Sequence, residues 1–392
     1  MAHHALTLTP DVHASLALGQ RDLAIDTIAG ADRCEPGQPV RLMSPAGALA
    51  ALAVADPEND LVRVMTSADE GHTSLDARLL RARVEHALAL RKSFGLSRER
   101  TAHRVLNGAG DGVPGFTADV YGDYAVLYAY SRGLLALGRT LGELLLEALG
   151  LSGVVLKLRG RDAAQSSIKQ EIIGAAPAEQ MVVLEEGVPF EVHLLSGLNV
   201  GLFTDMREHR SQLHRFVSSK SVLNLFSYTG SLSVAAARAG AREVTSVDLA
   251  MGVQRWARAN FELSQLDPGA HRFETLDVMT FMKKAGRDGQ RFDVIIVDPP
   301  TYSAARAGAW SMRKDYPELI SRSVALLPEG GLLWLSANAR ELPPLPQLAR
   351  DAFSKAKRSG QVLAVGGLPP DYPTLPAQPE DRYLQVSLFR VG

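Results

Sequence analysis

The sequence is poor in cysteine and contains no long apolar run. Its 392 residues include one cysteine, Cys34, which excludes an intramolecular disulfide framework and a cysteine-rich zinc site, so no metal is expected. No stretch of about 18 uninterrupted apolar residues occurs, and the start MAHHALTLTP lacks a basic segment followed by an apolar one. Neither a membrane span nor a signal peptide is predicted, and we expect a cytoplasmic protein.

The chain also lacks an excess of positive charge. Its net charge is −1, which argues against a protein that coats nucleic acid indiscriminately. One segment differs, because it holds eight basic residues against the two acids Glu85 and Glu99. This basic cluster consists of Arg78, Arg81, Arg83, Arg91, Lys92, Arg98, Arg100 and Arg104. It is either a solvated helix face or a surface that favours RNA over a small molecule as the partner.

Hydrophobic patterning divides the sequence into four segments. Residues 1–72 carry short β-type runs punctuated by proline and glycine, the pattern of a small β-barrel. Residues 73–100 have apolar positions at helical spacing, which predicts a linker helix. Residues 101–195 predict a middle α+β domain of order β-β-α-β-β. Strands and helices alternate within residues 196–392, which predicts an α/β domain with a parallel sheet.

The last segment contains seven predicted strands. Six are the runs SVLNLF, EVTSVD, RFETLD, FDVIIVD, GLLWLS and QVLAVG. The seventh, RYLQVSLFRV, leaves too little room for a crossover helix, so we expect it to be an antiparallel edge strand. In such a doubly wound sheet, ligands bind at the carboxyl ends of the strands.

Acidic residues and a glycine turn follow these strands. Gly230 ends the turn after VLNLF and permits close approach of the backbone to a ligand. Asp248 ends the second strand, where a carboxylate can accept both ribose hydroxyls of an adenosyl group. Asp277 ends the third, where the acid or its neighbouring amide can contact the adenine edge. One such aspartate is more often a helix N-cap, but the combination favours an S-adenosylmethionine site.

The sharper motif is Asp298-Pro299-Pro300, at the end of the fourth strand. Two consecutive prolines fix a rigid, extended loop without donor amides. The Asp298 side chain and the loop carbonyls therefore present acceptors to a flat ring beside the methyl donor, and a planar nitrogenous base fits this arrangement. A simple strand-ending turn is the alternative.

These motifs resemble those of class I ribosomal RNA large-subunit methyltransferases, which use S-adenosylmethionine. NLFSYTG, TSVD and IIVDPPTYS look like their cofactor and substrate motifs, and GLNVGLFTDMREHR resembles the segment ahead of their first strand. VRLMSPAGALAALAVADPENDLVRVMTSADE is similar to the N-terminal PUA domain of the 23S rRNA cytosine-5 methyltransferases, and NGAGDGVPGFTADVYGDYAVL to the start of their middle domain. The resemblance implies a PUA-like RNA-binding barrel, a middle domain and a Rossmann-like seven-stranded catalytic domain. It also implies 23S rRNA or a pre-ribosomal particle as the partner, and leaves a homodimer open.

The resemblance carries a set of site residues over to this chain. The cofactor residues are Phe203, Thr204, Asp205, Arg207, Asn224, Phe226, Ser227, Tyr228, Thr229, Gly230, Asp248, Leu249, Asp277, Val278 and Asp298. Arg207 is expected near the methionine carboxylate; alternatively, Thr204 or Asp205 caps a helix and Arg210 is solvated. The residues that orient the base are Asp298, Pro299, Pro300, Tyr302 and Asn338, with Arg340 beside them.

One departure from the family changes the expected reaction. Cytosine-5 methylation needs a cysteine thiolate that adds to C6 of the ring, whereas LSANAR has Ala337 at that cysteine's position. DPPTYS and SANAR resemble the guanine-N7 branch more closely, and N7 needs only orientation and in-line placement of the donor. We expect transfer to a base nitrogen, guanine N7 or an exocyclic amine, in large-subunit rRNA. Cytosine-5 transfer, a small-molecule substrate and an inactive RNA-binding homologue are the alternatives.

Overall fold

A computed structural model describes residues 4–95, 99–160, 170–197, 199–305, 308–339 and 342–392. Arg98 and Arg340 lie outside these ranges. The chain forms two compact units: the first is Met1–Gly187, Val192–Val200 and Pro370–Asp381, and the second is Val188–Glu191, Gly201–Pro369 and Arg382–Gly392. The four sequence segments do not coincide with these units, and their boundaries stay a prediction. Among the described residues, no helix has the length and apolarity needed to cross a membrane.

The first unit begins with a five-stranded sheet. Its elements are β1 (His4–Thr7), α1 (Pro10–Ala17), β2 (Asp22–Ala24), β3 (Pro39–Met43), β4 (Leu49–Asp56) and β5 (Leu61–Ser67). The strand order is β1-β3-β4-β5-β2, with β1 parallel to β3 and the other pairs antiparallel. Alternation is clear in β3, where Val40 and Leu42 are buried and Arg41 between them is exposed. Cys34 is buried in the core of this sheet.

A second five-stranded sheet completes most of the first unit. Its elements are α2 (Ala77–Ser93), β6 (Ala102–Asn107), β7 (Phe116–Tyr121), β8 (Tyr124–Ala129), α3 (Leu135–Leu149), β9 (Gly153–Leu158) and β10 (Gln170–Gly174). β11 (Met181–Glu185) and β12 (Val188–Val192) follow along the chain and are not strands of this sheet; Val188–Glu191 of β12 belong to the second unit. The order is β10-β9-β8-β7-β6. Three strands precede α3 where the pattern predicted two, because Gly122, with φ +63°, reverses the chain between β7 and β8.

The six described arginines of the basic cluster pair with carboxylates of the same unit. The pairs are Arg78 with Asp76, Arg81 with Glu147, Arg83 with Glu70, Arg91 with Asp111, Arg100 with Glu186 and Arg104 with Asp119. All six acids lie outside residues 78–104 and offset much of the local excess of positive charge. The cluster contains exposed side chains, Arg78 and Arg81, as well as the fully buried Arg91.

Arg91 also binds a segment from near the carboxyl terminus. Its side chain is 1% exposed and donates to the two carboxylate oxygens of Asp111 at 2.5 and 2.7 Å. It donates as well to the main-chain carbonyl of Asp371 at 2.8 Å. The Asp371 carboxylate accepts from the backbone N–H of Arg104 at 3.1 Å, and Tyr372 stacks on the Arg104 guanidinium, 4.3 Å from ring centroid to Cζ. These contacts explain why Pro370–Asp381 belongs to the first unit.

The second unit is built on a seven-stranded sheet. Its elements are α4 (Arg207–Gln212), β13 (Ser221–Leu225), α5 (Ser231–Arg238), β14 (Glu243–Asp248), α6 (Met251–Leu263), β15 (Arg272–Thr275), α7 (Val278–Arg287), β16 (Val294–Val297), β17 (Tyr302–Ala305), β18 (Gly308–Ser311), α8 (Met312–Leu326), β19 (Leu332–Asn338), α9 (Leu345–Lys355), β20 (Gly360–Gly366) and β21 (Leu384–Val391). The order is β15-β14-β13-β16-β19-β21-β20. The first five of these strands are parallel, as the alternating pattern predicted.

The last strand differs from its expected place. β21 is antiparallel, as predicted, but it pairs with β19 on one side and β20 on the other, so β20 forms the edge. The exposure of the two strands reflects this, because β21 is mostly buried while most of β20 is exposed. The short connection from β20 to β21 correctly predicted the antiparallel direction of β21. It carried no information about the second partner, β19.

Candidate active site at the carboxyl edge of the seven-stranded sheet

The loop after β13 bends through left-handed backbone. This β13 loop, Phe226–Gly230, has positive φ angles at Phe226 (+58°), Tyr228 (+46°) and Gly230 (+77°). Such angles are costly for residues with side chains and concentrate at ligand sites. A Cβ at position 230 would lie 2.9 Å from the Cβ of Ala257, so the start of α5 requires glycine.

Asp248, at the end of β14, binds the β13 loop. Its carboxylate accepts from the N–H groups of Tyr228 at 3.0 Å and Ala250 at 3.2 Å. Thr229 fixes the same loop, because its hydroxyl donates to the Gly201 carbonyl at 2.5 Å. Asp248 is partly exposed, so its carboxylate is within reach of a ligand at this edge of the sheet.

Asn224 and Ser227 contribute buried polar atoms. The Asn224 amide donates at 2.9 Å to the hydroxyl of Ser233, which lies 2.7 Å from that of Ser246. Asn224 is fully buried, so this network supports β13 from within. The Ser227 hydroxyl is buried and has no hydrogen-bond partner among the described residues. Such a group costs free energy until it is paired, and a polar ligand atom would pair it.

Asp277, Val278 and Leu249 have different surroundings. Asp277 is the N-cap of α7: its carboxylate accepts from the N–H and the hydroxyl of Thr280, both at 2.9 Å. The Val278 side chain is buried in the core. Leu249 is 50% exposed, beside Asp248. The Asp277 side chain is therefore a helix N-cap, which was the alternative interpretation. Leu249 offers apolar surface to a ligand.

The segment ahead of β13 is largely buried. Thr204, Asp205 and Arg207 lie in a short 3-10 turn and the first residue of α4, each less than a tenth exposed. Neither Thr204 nor Asp205 caps a helix, so the alternative of a capped helix start is wrong. Phe203 is 43% exposed, and its ring centroid lies 5.5 Å from that of Tyr228. This segment and the β13 loop therefore meet.

Arg210 is buried rather than solvated. Its side chain donates to the Phe203 carbonyl at 2.7 Å and to the Ser231 hydroxyl at 3.4 Å. Ser231 is the first residue of α5, so the cation lies beside a helix N-terminus, whose unpaired amides and dipole attract anions. Sequence reasoning named Arg210 only as a solvated residue, because it is one of several basic residues in this segment. Its spacing from Arg207, one turn along α4, was the available signal.

Asp298, directly after β16, is enclosed by protein although part of its surface is exposed. The pKa of its carboxyl group is raised to about 6, chiefly by burial; the hydrogen bond from Ser336 lowers it, the charge of Asp205 raises it and the charge of Arg210 lowers it. Asp205 accepts from the Tyr383 hydroxyl at 3.0 Å. Near neutral pH Asp298 is therefore mainly ionised and acts as an acceptor, and below pH 6 its carboxyl group can donate.

The two prolines after Asp298 are bound by a tryptophan. Pro299 is buried and Pro300 is exposed. The Trp310 Nε1–H donates to the Pro300 carbonyl at 2.9 Å. The Trp310 ring also contacts Phe226, with centroids 5.2 Å apart. Sequence reasoning did not select Trp310; a lone tryptophan ten residues beyond the prolines was the signal that could have found it.

Thr301, the residue after the two prolines, contacts Asn338 at the end of β19. The Thr301 hydroxyl donates to the Asn338 carbonyl at 2.5 Å, and the Thr301 carbonyl accepts from the Met312 N–H at 3.3 Å. The Asn338 side chain is exposed. Tyr302 begins β17, and its side chain lies outside the described part of the structure, as does Arg340. The structure thus brings Asn338 to the loop through its backbone.

Ala337 and Cys34 bear on covalent chemistry. Ala337 is fully buried in the core cluster that includes Met312 and Tyr316. The single cysteine of the chain, Cys34, lies in the first unit, with its sulfur 3.8 Å from the Gly30 carbonyl oxygen. Burial, and secondarily the charge of Asp32, raises the pKa of the Cys34 thiol. The edge of the seven-stranded sheet therefore has no cysteine in its sequence to act as a nucleophile.

The parallel sheet, its left-handed first loop and the acids after three of its strands define a Rossmann-like methyltransferase. A family model described as S-adenosylmethionine-dependent methyltransferase matches residues 128–380. The chain belongs to this family. It is therefore an enzyme, and its cofactor is S-adenosylmethionine.

Named relatives and a solved structure agree with this family. Ribosomal RNA large subunit methyltransferase I of Aeromonas salmonicida is 31% identical over 337 residues, which cover 84% of this chain and 84% of the relative. Ribosomal RNA large subunit methyltransferase K of Neisseria meningitidis is 35% identical over 57% of this chain and 66% of the relative. The crystal structure of SMU.776 complexed with SAH has a TM-score of 0.88 and 28% identity, and each chain is covered completely.

Proposed function

We propose that this enzyme methylates a base nitrogen, guanine N7 or an exocyclic amine, in large-subunit ribosomal RNA without a covalent intermediate. The observation that carries the proposal is a combination of two features. Asp298 is an ionised acceptor, and a buried alanine, Ala337, stands at the position of the cytosine-5 nucleophile. A nitrogen lone pair needs orientation and in-line placement but no thiolate. The names of the relatives support ribosomal RNA as the substrate.

The residues at the sheet edge fit the cofactor. The partly exposed Asp248 carboxylate suits the ribose hydroxyls, and the buried, unpaired Ser227 hydroxyl is a second polar contact. Leu249 and Phe203 offer apolar surface to the adenine ring. Arg210, beside the first turn of α5, suits the methionine carboxylate better than Arg207, which was expected there. The bound cofactor supplies the methyl group.

Asp298 orients the base in this proposal. Its ionised carboxylate accepts a hydrogen bond from an N–H group on the edge of the base, and the Ser336 hydroxyl fixes its rotamer. The two prolines exclude competing amide donors from that edge. Asn338 and Tyr302, which the family resemblance selects, are proposed to contact the rest of the ring. Orientation of this kind is the main contribution that the protein can make to a reaction at N7.

Nucleoside mass spectrometry tests the reaction. Ribosomal RNA from a deletion strain is incubated with the purified protein and methyl-labelled S-adenosylmethionine. We expect label in 7-methylguanosine or in a purine methylated on its amine. Label in 5-methylcytidine would overturn the argument from Ala337. If the cofactor binds but no label enters RNA, a small-molecule substrate becomes the better hypothesis.

The β1–β5 sheet is the proposed RNA-binding module, of the PUA type. Support comes from its sequence resemblance and from Arg41, which is exposed on β3, whereas the six described arginines of the basic cluster are paired with carboxylates. Arg41→Gln should reduce the salt dependence of rRNA binding by about one ion per complex. Arg81→Gln, which breaks a surface ion pair with Glu147, is the matched control and should leave the slope unchanged. Equal slopes for Arg41→Gln and wild type would refute the assignment.

A ribosomal RNA substrate would also locate the enzyme in the cytoplasm.

A further inference from the structure

We infer that Trp310 is a positioning residue that fixes the spacing between the base and the methyl donor. The inference rests on the proposed function. Trp310 is partly buried, and its one side chain contacts both loops of the site. The indole N–H binds the Pro300 carbonyl at 2.9 Å, and the ring lies against Phe226 of the β13 loop, 5.2 Å between centroids at an interplanar angle of 49°.

The Asp298-Pro299-Pro300 loop needs a donor from outside itself. Ser336 holds the Asp298 side chain, but neither proline has an N–H group, so the two prolines can be held only through their carbonyls. Trp310 provides that donor to Pro300. Further along, Thr301 is held by the Asn338 carbonyl and the Met312 amide, so the loop is bound on its carboxyl side as well. The partly exposed Asp298 carboxylate remains available as an acceptor for a base.

Phe226, the other residue that Trp310 contacts, also lies in a loop with little conformational freedom. Phe226 has φ +58°, and the next residue but one, Tyr228, is held by Asp248 through its N–H. Trp310 therefore joins the loop that carries the acceptor for the base to the strained loop on the cofactor side. In-line transfer requires the reacting atoms to lie about 3–3.5 Å apart, and a misplacement of about 1 Å can reduce the rate about 100-fold. A small shift of the proline loop would thus reduce turnover without removing a ligand contact.

The experiment replaces Trp310 in three ways. β-(3-Benzothienyl)alanine keeps the bicyclic ring and replaces the N–H with sulfur, Trp310→Phe keeps an aromatic contact with Phe226, and Trp310→Ala removes both interactions. Trp256→Phe is the matched control, because the Trp256 indole donates to the Glu191 carbonyl at 3.1 Å. It therefore loses the same kind of hydrogen bond in the same unit, and phenylalanine keeps an aromatic ring beside Tyr228, whose ring centroid lies 6.3 Å from that of Trp256.

We expect the benzothienyl and Trp310→Phe proteins to lose 10- to 100-fold in kcat for methyl transfer to rRNA. The Kd values for SAH and for rRNA should stay within twofold of wild type, because phosphate and adenosyl contacts are untouched. Trp310→Ala should also weaken SAH binding, since Phe226 loses its support. Trp256→Phe should lower the melting temperature by a similar amount and leave kcat within twofold.

Two results would overturn the inference. The first is an unchanged kcat in the benzothienyl protein, which would make the N–H irrelevant to turnover. The second is a loss of SAH affinity as large as the loss of rate in the benzothienyl or Trp310→Phe protein, which would place the effect on cofactor binding. Wild-type enzyme assayed in parallel separates the two proposals: an active wild type with unchanged variants refutes the role of Trp310 alone. A wild type that methylates no rRNA refutes both.

Discussion

Asp298→Asn should stabilise the second unit while it abolishes most activity. The pKa of Asp298 is raised from 3.8 to about 6, chiefly by burial. Because the folded-state pKa lies above the unfolded value, the stabilisation is fully present below pH 3.8 and is lost as the pH rises through 6. A shift of about two units corresponds to an upper bound of about 3 kcal/mol, and partial exposure makes the true cost smaller. The wild-type protein therefore bears this cost at pH 8.

Asparagine removes the charge and keeps an oxygen to accept the Ser336 hydrogen bond. The free energy of unfolding should then rise by about 1–3 kcal/mol at pH 8, and by almost nothing at pH 4. Urea unfolding followed by tryptophan fluorescence measures the correct unit, because all three tryptophans, Trp256, Trp310 and Trp334, lie in Gly201–Pro369. Methyl transfer to rRNA should fall by about 100-fold or more, the magnitude of a lost hydrogen-bonding group at a reacting base.

Asp277→Asn is the control for this experiment. Asp277 is a partly exposed N-cap, and asparagine caps helices about as well as aspartate, so neither stability nor its pH dependence should change much. If Asp298→Asn lowers stability at pH 8, or raises it equally at pH 4 and pH 8, buried charge at position 298 is not the cause, and the reasoning fails.

Three further predictions concern pH, the cofactor and the first unit. The kcat for methyl transfer should fall as the pH is lowered through 6, because protonated Asp298 no longer accepts from the base; a rate that is flat from pH 5 to 8 would contradict this. Arg210→Ala should weaken SAH binding by about 10- to 100-fold in calorimetric titration, the effect of losing one charge-assisted hydrogen bond, while Arg81→Ala should not. Arg91→Ala should destabilise the first unit by about 3–5 kcal/mol in scanning calorimetry, because it leaves the Asp111 carboxylate buried without its partner. The double change Arg91→Met with Asp111→Leu should recover part of that loss, and a double mutant as unstable as Arg91→Ala would contradict the explanation.

The seven-stranded sheet was predictable because parallel strands covered on both faces are continuous apolar runs, such as VIIV in β16. Position at the end of such a run was enough to select Asp248 and Asp298 as well. The same signal gave Asp277, whose carboxylate instead caps α7. A strand-end aspartate is thus visible in sequence, but its partner is not.

The rest depended on contacts between distant residues. The burial of Arg210 follows from its contact with Ser231, 21 residues away, and the basic run around it carried no mark of that contact. Trp310 was missed because its partners, Phe226 and Pro300, belong to two loops that only the sheet brings together. Likewise, the acids that neutralise the basic cluster, such as Glu147 for Arg81, are remote in sequence. Periodicity reports burial, and it does not report which residue lies opposite.

The bond from Arg91 to the Asp371 carbonyl constrains the order in which the protein can mature on the ribosome. The two residues are 280 positions apart. At about 5–20 residues per second, roughly 14–56 s elapse between their synthesis. Once Val200 has been made, every other residue of the first unit is present and only Pro370–Asp381 is still missing. The amino-terminal part of the chain must therefore wait, incompletely closed, until the catalytic part has been translated.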